Sequence, residues 1–267
     1  MSKKPKVGMW SGLTAVTAVL TVNNYLDADT YKIIKGDSDE DTEYFKSDFT
    51  SDEERESYEA ELCAQVEAEG AALLKNDNNA LPLASGAKVS LFGHGSVDLM
   101  YGGTGSGSVD TSKAPNFKQA LEDQGIQVNS TLWDLYSSDD MMKNYSRITP
   151  AAISDTLEAN TQYAVNEAPW SKLSSAESSF ADYGDAAIVV FSRSGGEGAD
   201  LPSGENGTND SWIKGQEGDG NYLALSAEEK ELLQNLKTLK DNGTFKKIIV
   251  LVNSSNAIEM DFLNPEI

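Results

Sequence analysis

One apolar run without polar alternation, at residues 186–191, constrains the fold of this chain more than any other segment. A strand with no polar face is covered on both sides, and such strands belong mostly to parallel sheets with helices above and below. Similar runs lie at residues 89–92 and 248–252. Helical patterns separate the three runs. We therefore predict an α/β layered sandwich, with a mostly parallel sheet flanked by helices and joined by right-handed crossovers.

The helices of this sandwich are predicted from their start signals. Two capping boxes, Ser51 with Glu54 and Ser226 with Glu229, each precede apolar residues at helical spacing. Further elements are predicted as a helix at residues 116–124, a strand at 126–128, a helix that begins at Thr149 and Pro150, and a helix at 175–183. Because the chain stops shortly after its last apolar run, we expect the sandwich to be incomplete at its C-terminal end.

The beginning of the chain differs in composition from the rest. Residues 1–26 combine early lysines with a long uncharged stretch, which is typical of a secretory signal or a membrane anchor. The alternative is a packed amphipathic helix of a cytoplasmic protein. Residues 27–52 are acidic and poor in large aliphatic side chains, which predicts a loosely packed connector. The α/β domain is then expected at residues 53–267.

Charge and composition exclude several classes of function. The chain carries 21 Lys and Arg against 43 Asp and Glu, and its net charge of -22 would repel a nucleic-acid backbone. A single cysteine, Cys63, excludes an intrachain disulfide, and a single histidine, His94, provides no histidine cluster for zinc. We predict no cofactor and no metal. Carboxylates are therefore the main acid/base resource.

A glycine-rich segment follows the first apolar run, at residues 93–107. It lacks the Lys-Ser/Thr pair of a phosphate-binding P-loop and the glycine spacing of a dinucleotide site. We therefore expect a loop that contacts a neutral ligand or another domain. His94 lies at the strand end, where it could bind a substrate, or serve only as a structural hydrogen-bond donor.

A long acidic loop follows the central apolar run and contains Trp212. Glu197 and Glu217 are each followed by glycine, so a substrate could approach either carboxyl group closely. A general acid at near-neutral pH needs partial desolvation, which raises its pKa. Trp212 could stack on the face of a sugar. The alternative is a solvated acidic loop without chemistry, and the spacing of a calcium loop is absent.

Four motifs resemble the (α/β)6-sandwich domain of glycoside hydrolase family 3, which consists mainly of β-glucosidases. They are EAEGAALLKNDNNALPL, KVSLFGHGS, GGTGSGSVD and SRSGGEGAD, and they occur in the order and spacing of that family. The similarity covers roughly residues 54–264. A sandwich this near the amino terminus resembles the members in which it precedes a (β/α)8 barrel.

This resemblance implies a retaining hydrolysis with two carboxylates. In the family, an aspartate on the barrel is the nucleophile and a glutamate of the sandwich is the general acid/base. Glu197 in SGGEGAD matches the pattern SGEG. Glu217 in GQEGDGNYLAL resembles the pattern GNEGDRxxL, with Gly220 where arginine is expected. We favour Glu197, and we expect Asp200 to be a hydrogen-bond partner that orients the loop.

Two functions follow as hypotheses. In the first, the chain is part of a glycoside hydrolase that acts on β-linked glucosides or related sugars, and it is inactive without the barrel that this sequence lacks. Its partners are then an oligosaccharide or glucoside substrate and that barrel domain. In the second, the chain is a noncatalytic carbohydrate-binding or domain-docking module.

Overall fold

The computed structural model describes residues 47–103, 105–107, 109–112, 114–149, 163–197, 201 and 222–263. The chain divides into two compact units between Leu74 and Lys75. The signal or anchor predicted for residues 1–26, and nearly all of the connector predicted for 27–52, lie outside the described residues. None of the helices in the described ranges is long and apolar enough to cross a membrane. The domain boundary at residue 53 stays a prediction.

Helix α1, Asp52–Gly70, lies in the first unit. The Ser51 hydroxyl accepts a hydrogen bond from the Glu54 N–H at 3.2 Å, as the capping box predicts. In a capping box the Glu54 carboxylate would accept from the Ser51 N–H. Here it accepts instead from the N–H and the hydroxyl of Thr50, at 2.8 and 2.6 Å. No side chain within α1 is buried, so capping, the acidic first turn and the contact between the Phe49 and Tyr58 rings, 5.3 Å apart, stabilise its first half.

The second unit contains a parallel four-stranded sheet in the order β2-β1-β3-β4. The strands are β1 (Lys88–Phe92), β2 (Gln127–Val128), β3 (Ala186–Arg193) and β4 (Ile248–Ser254). β3 pairs with β1 from Val89↔Ala186 onward and with β4 from Ala187↔Ile248 onward. The predicted parallel α/β sheet is confirmed, and the central apolar run forms its most buried strand.

Among the described residues of this unit, four α-helices accompany the sheet, and each begins at a side-chain cap. They are α2 (Phe117–Asp123), α3 (Ser130–Tyr136), α4 (Asp139–Asn144) and α5 (Ala227–Asp241), capped by Asn116, Asn129, Ser138 and Ser226. The helix expected at residues 116–124 and the complete capping box at the start of α5 are confirmed. α3 and α4 were not predicted, because each is too short to show an apolar period.

The helix predicted at residues 175–183 is wrong. This region forms separate 3-10 turns, including Glu177–Ser179 and Ala181–Tyr183. The Ser179 hydroxyl donates to the Ala176 carbonyl at 2.6 Å and accepts from the Asn129 amide at 2.8 Å. Serine hydroxyls that bind nearby backbone compete with α-helical bonding. The helix expected from Thr149 onward lies outside the described residues.

Apolar side chains cover the central strand β3 on both faces, whereas β4 is only partly buried. Ala187, Val189 and Phe191 of β3 point into a large cluster that also contains residues of α3 and α5. Ala186 and Ile188 point into a second cluster with residues of β1 and β2. All eight residues of β3 are buried, as expected for a strand without a polar face.

Candidate active site at the carboxyl edge of the sheet

The segments that follow β1, β3 and β4 meet at the carboxyl edge of the sheet. The side chain of Asn253, in β4, accepts from the Met100 N–H at 2.6 Å and donates to the Met100 carbonyl at 3.0 Å. The Asn256 side chain donates to the Ser194 carbonyl at 2.9 Å. Ligands of parallel α/β sheets bind beyond this edge, so the three connected segments form the candidate site.

Close backbone contact joins the glycine-rich loop, residues 93–107, to the segment after β3. A Cβ atom on Gly103 would lie 2.9 Å from the carbonyl oxygen of Gly195 and 3.6 Å from the Cα of Gly196. Only a glycine permits this approach without displacement of backbone. The glycine-rich loop therefore packs against another segment of its own domain, while the predicted contact with a neutral ligand or another domain stays a prediction.

Glu197 lies on this contact and is exposed. Its Oε2 accepts hydrogen bonds from the Ser106 hydroxyl at 2.5 Å and from the Ser106 N–H at 2.9 Å. These two bonds, the hydroxyl bond first, lower the pKa of the Glu197 carboxyl below its ordinary value. A general acid was expected to have a raised pKa. In this conformation the ionised form of Glu197 is favoured, which is the form of a general base.

His94 is buried beneath this edge and contacts Glu167. Its ring Nδ1 lies 3.0 Å from Glu167 Oε2, and its backbone N–H donates to the same oxygen at 2.9 Å. The exposed fractions of the two side chains are 5% and 1%. His94 Nε2 and the Tyr136 hydroxyl are buried without a hydrogen-bond partner among the described residues. The geometry is that of a structural donor, while substrate binding by His94 stays a prediction.

A buried network, the Arg193 network, holds both ends of the acidic loop together. Arg193 Nη1 and Nη2 donate to the two carboxylate oxygens of Glu229, at 2.8 and 2.7 Å. The remaining Arg193 bonds go to the carbonyls of Tyr222, Ala224 and Ser192, at 2.6, 2.7 and 3.0 Å. Arg193 precedes the loop and Tyr222 follows it, so the loop is closed at its base.

The Tyr222 hydroxyl completes this closure. It donates to the Ser194 carbonyl at 3.0 Å and accepts from the Ser194 N–H at 2.8 Å. Burial raises the pKa of the Tyr222 phenol to about 12. The sequence did not point to Arg193, and it indicated Glu229 only as part of a capping box. The available signal was Arg193 itself, an arginine two residues after the central apolar run, which needs a partner if it is buried.

An open groove of about 480 Å³ lies beside the glycine-rich loop. Gly103 and Ser194 belong to its lining, so it adjoins the segment that carries Glu197. An ion pair between Arg147 and Asp98, 3.0 Å apart, lies in its wall. The groove therefore offers polar groups and space beside the start of the segment that carries Glu197, although Glu197 itself does not line it.

Three predicted site residues, Glu217, Asp200 and Trp212, lie outside the described residues, and their roles stay predictions. Within the described ranges, no group of three or more His, Cys, Asp or Glu side chains is placed to hold a metal ion. Glu197 and His94 are the predicted residues that the structure describes. Each lies shortly after a strand, at the same edge of the sheet.

Comparison with known proteins identifies the family. The model of the glycosyl hydrolase family 3 C-terminal domain matches residues 71–267, and the chain belongs to this family. The family resemblance of the sequence motifs is thereby confirmed. Beta-glucosidase A of Butyrivibrio fibrisolvens is 31% identical over 216 residues, which cover 74% of this chain and 23% of that protein. A beta-glucosidase of Ruminococcus albus is 30% identical over 207 residues, 76% of this chain and 18% of that protein.

Solved structures give the same result. Beta-glucosidase 3B from Thermotoga neapolitana in complex with α-D-glucose is 26% identical, with a TM-score of 0.57, over 79% of this chain and 26% of that one. A beta-glucosidase from Paenibacillus barengoltzii is 26% identical, with a TM-score of 0.56, over 77% of this chain and 19% of that one. The chain thus spans about a fifth to a quarter of the length of these relatives.

Proposed function

We propose that this domain supplies the general acid/base of a retaining glycoside hydrolase acting on β-linked glucosides or related sugars, and that Glu197 is that residue. The observation that carries the proposal is the position of Glu197: exposed, a few residues after β3, and at the carboxyl edge of the sheet. The relatives named as beta-glucosidases support the substrate class.

The proposed reaction has two steps. In the first, protonated Glu197 gives its proton to the leaving oxygen while an aspartate attacks the anomeric carbon and forms a glycosyl ester. In the second, the Glu197 carboxylate takes a proton from a water molecule that attacks the same carbon and releases the aspartate. The two carboxyl groups of such a pair lie about 5 to 5.5 Å apart. We assign the aspartate to a (β/α)8 barrel domain as partner.

The remaining predicted residues have secondary roles in this proposal. Glu217 is the second candidate for the general acid/base. Trp212 stacks on the sugar, and Asp200 orients the acidic loop by a hydrogen bond. His94, which is buried against Glu167, supports the end of β1 from within.

The first experiment assays the 267-residue chain on an aryl β-glucoside, alone and with the barrel domain of a family 3 relative. Alone, it is expected to show no turnover above the Glu197→Ala, Glu217→Ala double variant. With the barrel, we expect turnover that Glu197→Gln lowers by about 10²- to 10⁴-fold, the usual contribution of general acid/base catalysis. Glu217→Gln is the matched control. No loss of turnover in either variant, an equal loss in both, or a loss only in Glu217→Gln contradicts the assignment.

A noncatalytic docking module is the second candidate, and the contact between Glu197 and Ser106 favours it. That contact makes Glu197 a link between two loops of the same domain. If the barrel binds the chain and Glu197→Gln changes neither turnover nor its pH dependence, the docking function replaces the catalytic one.

A further inference from the structure

Ser106 is the residue of the glycine-rich loop that contacts the proposed acid/base. Both of its donors, the hydroxyl and the backbone N–H, reach the same oxygen, Glu197 Oε2, at 2.5 and 2.9 Å. Two donors on one oxygen hold the carboxylate against the glycine-rich loop. Hydrogen bonds to an ionised acceptor are also stronger than neutral ones.

The backbone around Ser106 is shaped for this contact. Gly105 has a φ of +69°, in the left-handed region that glycine adopts without strain. A Cβ on Gly105 would lie 2.7 Å from Glu197 Cβ and 2.8 Å from Glu197 Oε2. Gly107, on the other side of Ser106, has no atom within 4 Å of such a Cβ. The contact between Ser106 and Glu197 therefore requires a residue without a side chain at position 105 but not at position 107.

We infer that Ser106 is a positioning residue, which holds the carboxylate of Glu197 against the glycine-rich loop in the form that acts as a general base. This inference rests on the proposed function of Glu197 and adds a residue that shifts the balance of its two forms further toward the ionised one. The second step of the reaction uses the ionised form, and the first step uses the protonated form. Ser106 therefore stabilises the state needed for the second step and opposes the state needed for the first.

The contact between Ser106 and Glu197 also changes how Glu197 titrates, which a purely structural role would not require. The Ser106 hydroxyl and N–H lower the pKa of the Glu197 carboxyl, and the hydroxyl is the larger cause. Removal of the hydroxyl should raise that pKa toward the value of a free glutamate. In the assembled enzyme, the alkaline limb of the pH dependence of kcat/KM, which reports loss of the acid proton, should then move to higher pH.

The test is an NMR titration of the Glu197 carboxyl carbon in the 267-residue chain, with Glu197→Gln used to assign its signal. Ser106→Ala is expected to move the titration to higher pH. Ser106→Thr keeps a hydroxyl and should restore the wild-type midpoint. Ser112→Ala is the matched control, because Ser112 lies in a neighbouring turn and its N–H donates to Asp110 instead.

A Ser106→Ala chain that is folded, with Glu197 titrating as in the wild type, overturns the inference. The same holds if Ser106→Thr and Ser106→Ala titrate alike. These results concern the contact and not catalysis. Failure of the proposed function appears separately, as an enzyme whose turnover does not depend on Glu197, so the two failures are distinguishable.

Discussion

Two glutamates receive hydrogen bonds near the end of β3, and they do so in opposite surroundings. Glu229 is buried and takes both Nη groups of Arg193, with exposed side-chain fractions of 1% and 0%. Glu197 is exposed and takes the two donors of Ser106, a residue without charge. The first contact closes the base of the acidic loop, and the second lies at the candidate active site.

The difference indicates that the Glu229 contact is structural and the Glu197 contact is functional. A buried ion pair is costly to break, because either partner alone would remain charged and desolvated. An exposed carboxylate that leaves its donors is solvated at once, so its contact can exchange with substrate or water. An acid/base residue alternates between two protonation states. The rigid Arg193 network can hold the ends of the acidic loop in place while the exposed Glu197 carboxylate remains free to leave its donors.

The largest effect is expected from Arg193→Met, which leaves the Glu229 carboxylate buried and unpaired. Loss of one partner of a buried pair destabilises a protein by about 3 to 5 kcal/mol. Chemical denaturation measures this free energy of unfolding. Lys230→Met, an exposed position on α5, is the control and should change stability by no more than about 0.5 kcal/mol. Similar small losses in both variants would mean that the Arg193 network does not fix the base of the loop.

A smaller effect is expected from Tyr222→Phe. The change removes the hydroxyl that binds both the N–H and the carbonyl of Ser194 in a buried position. Buried backbone groups left without partners cost about 1 to 3 kcal/mol in unfolding free energy. Tyr58→Phe, on the exposed α1, is the control for loss of a phenol hydroxyl. An unchanged unfolding midpoint in Tyr222→Phe would show that water replaces the hydroxyl without cost.

The smallest effect on stability is expected from Gly105→Ala. A side chain at a positive φ costs about 1 to 2 kcal/mol, and here the new Cβ also displaces Glu197. We expect the pKa of the Glu197 carboxyl to rise, because the displaced carboxylate loses both Ser106 donors. Gly125→Ala shares the positive φ but has open space around its Cβ, so it controls for backbone strain. If both variants leave the Glu197 titration unchanged, the loops are not in contact in solution.

The sequence predicts the sheet well because its signal is local. The apolar runs that became β1 and β3 carry their burial in their own composition, and the box of Ser226 and Glu229 marks the start of α5 directly. The run that became β4 predicts the strand but not its exposure, since its residues are only partly buried or exposed. The short helices α3 and α4 were missed for the converse reason, since one or two turns contain too few residues to show a period.

The site is predicted less completely, because its contacts join distant parts of the chain. Glu197 was found through its motif, but its partner Ser106 is 91 residues away. Glu167, which binds His94, is 73 residues from it and lies in no recognisable pattern. The predicted rise in the pKa of Glu197 rested on an assumed desolvation, whereas the structure places that carboxylate in solvent beside two donors.

The most direct test of the account is rescue of a Glu197→Ala variant by azide, in the chain combined with a barrel domain. With an activated aryl β-glucoside, the glycosyl ester forms without acid assistance, and azide then attacks the anomeric carbon without needing a general base. If Glu197 is the general acid/base, azide restores turnover and the product is the β-glucosyl azide. A Glu197→Ala variant that is unaffected by azide, while Glu217→Ala is rescued, would contradict it.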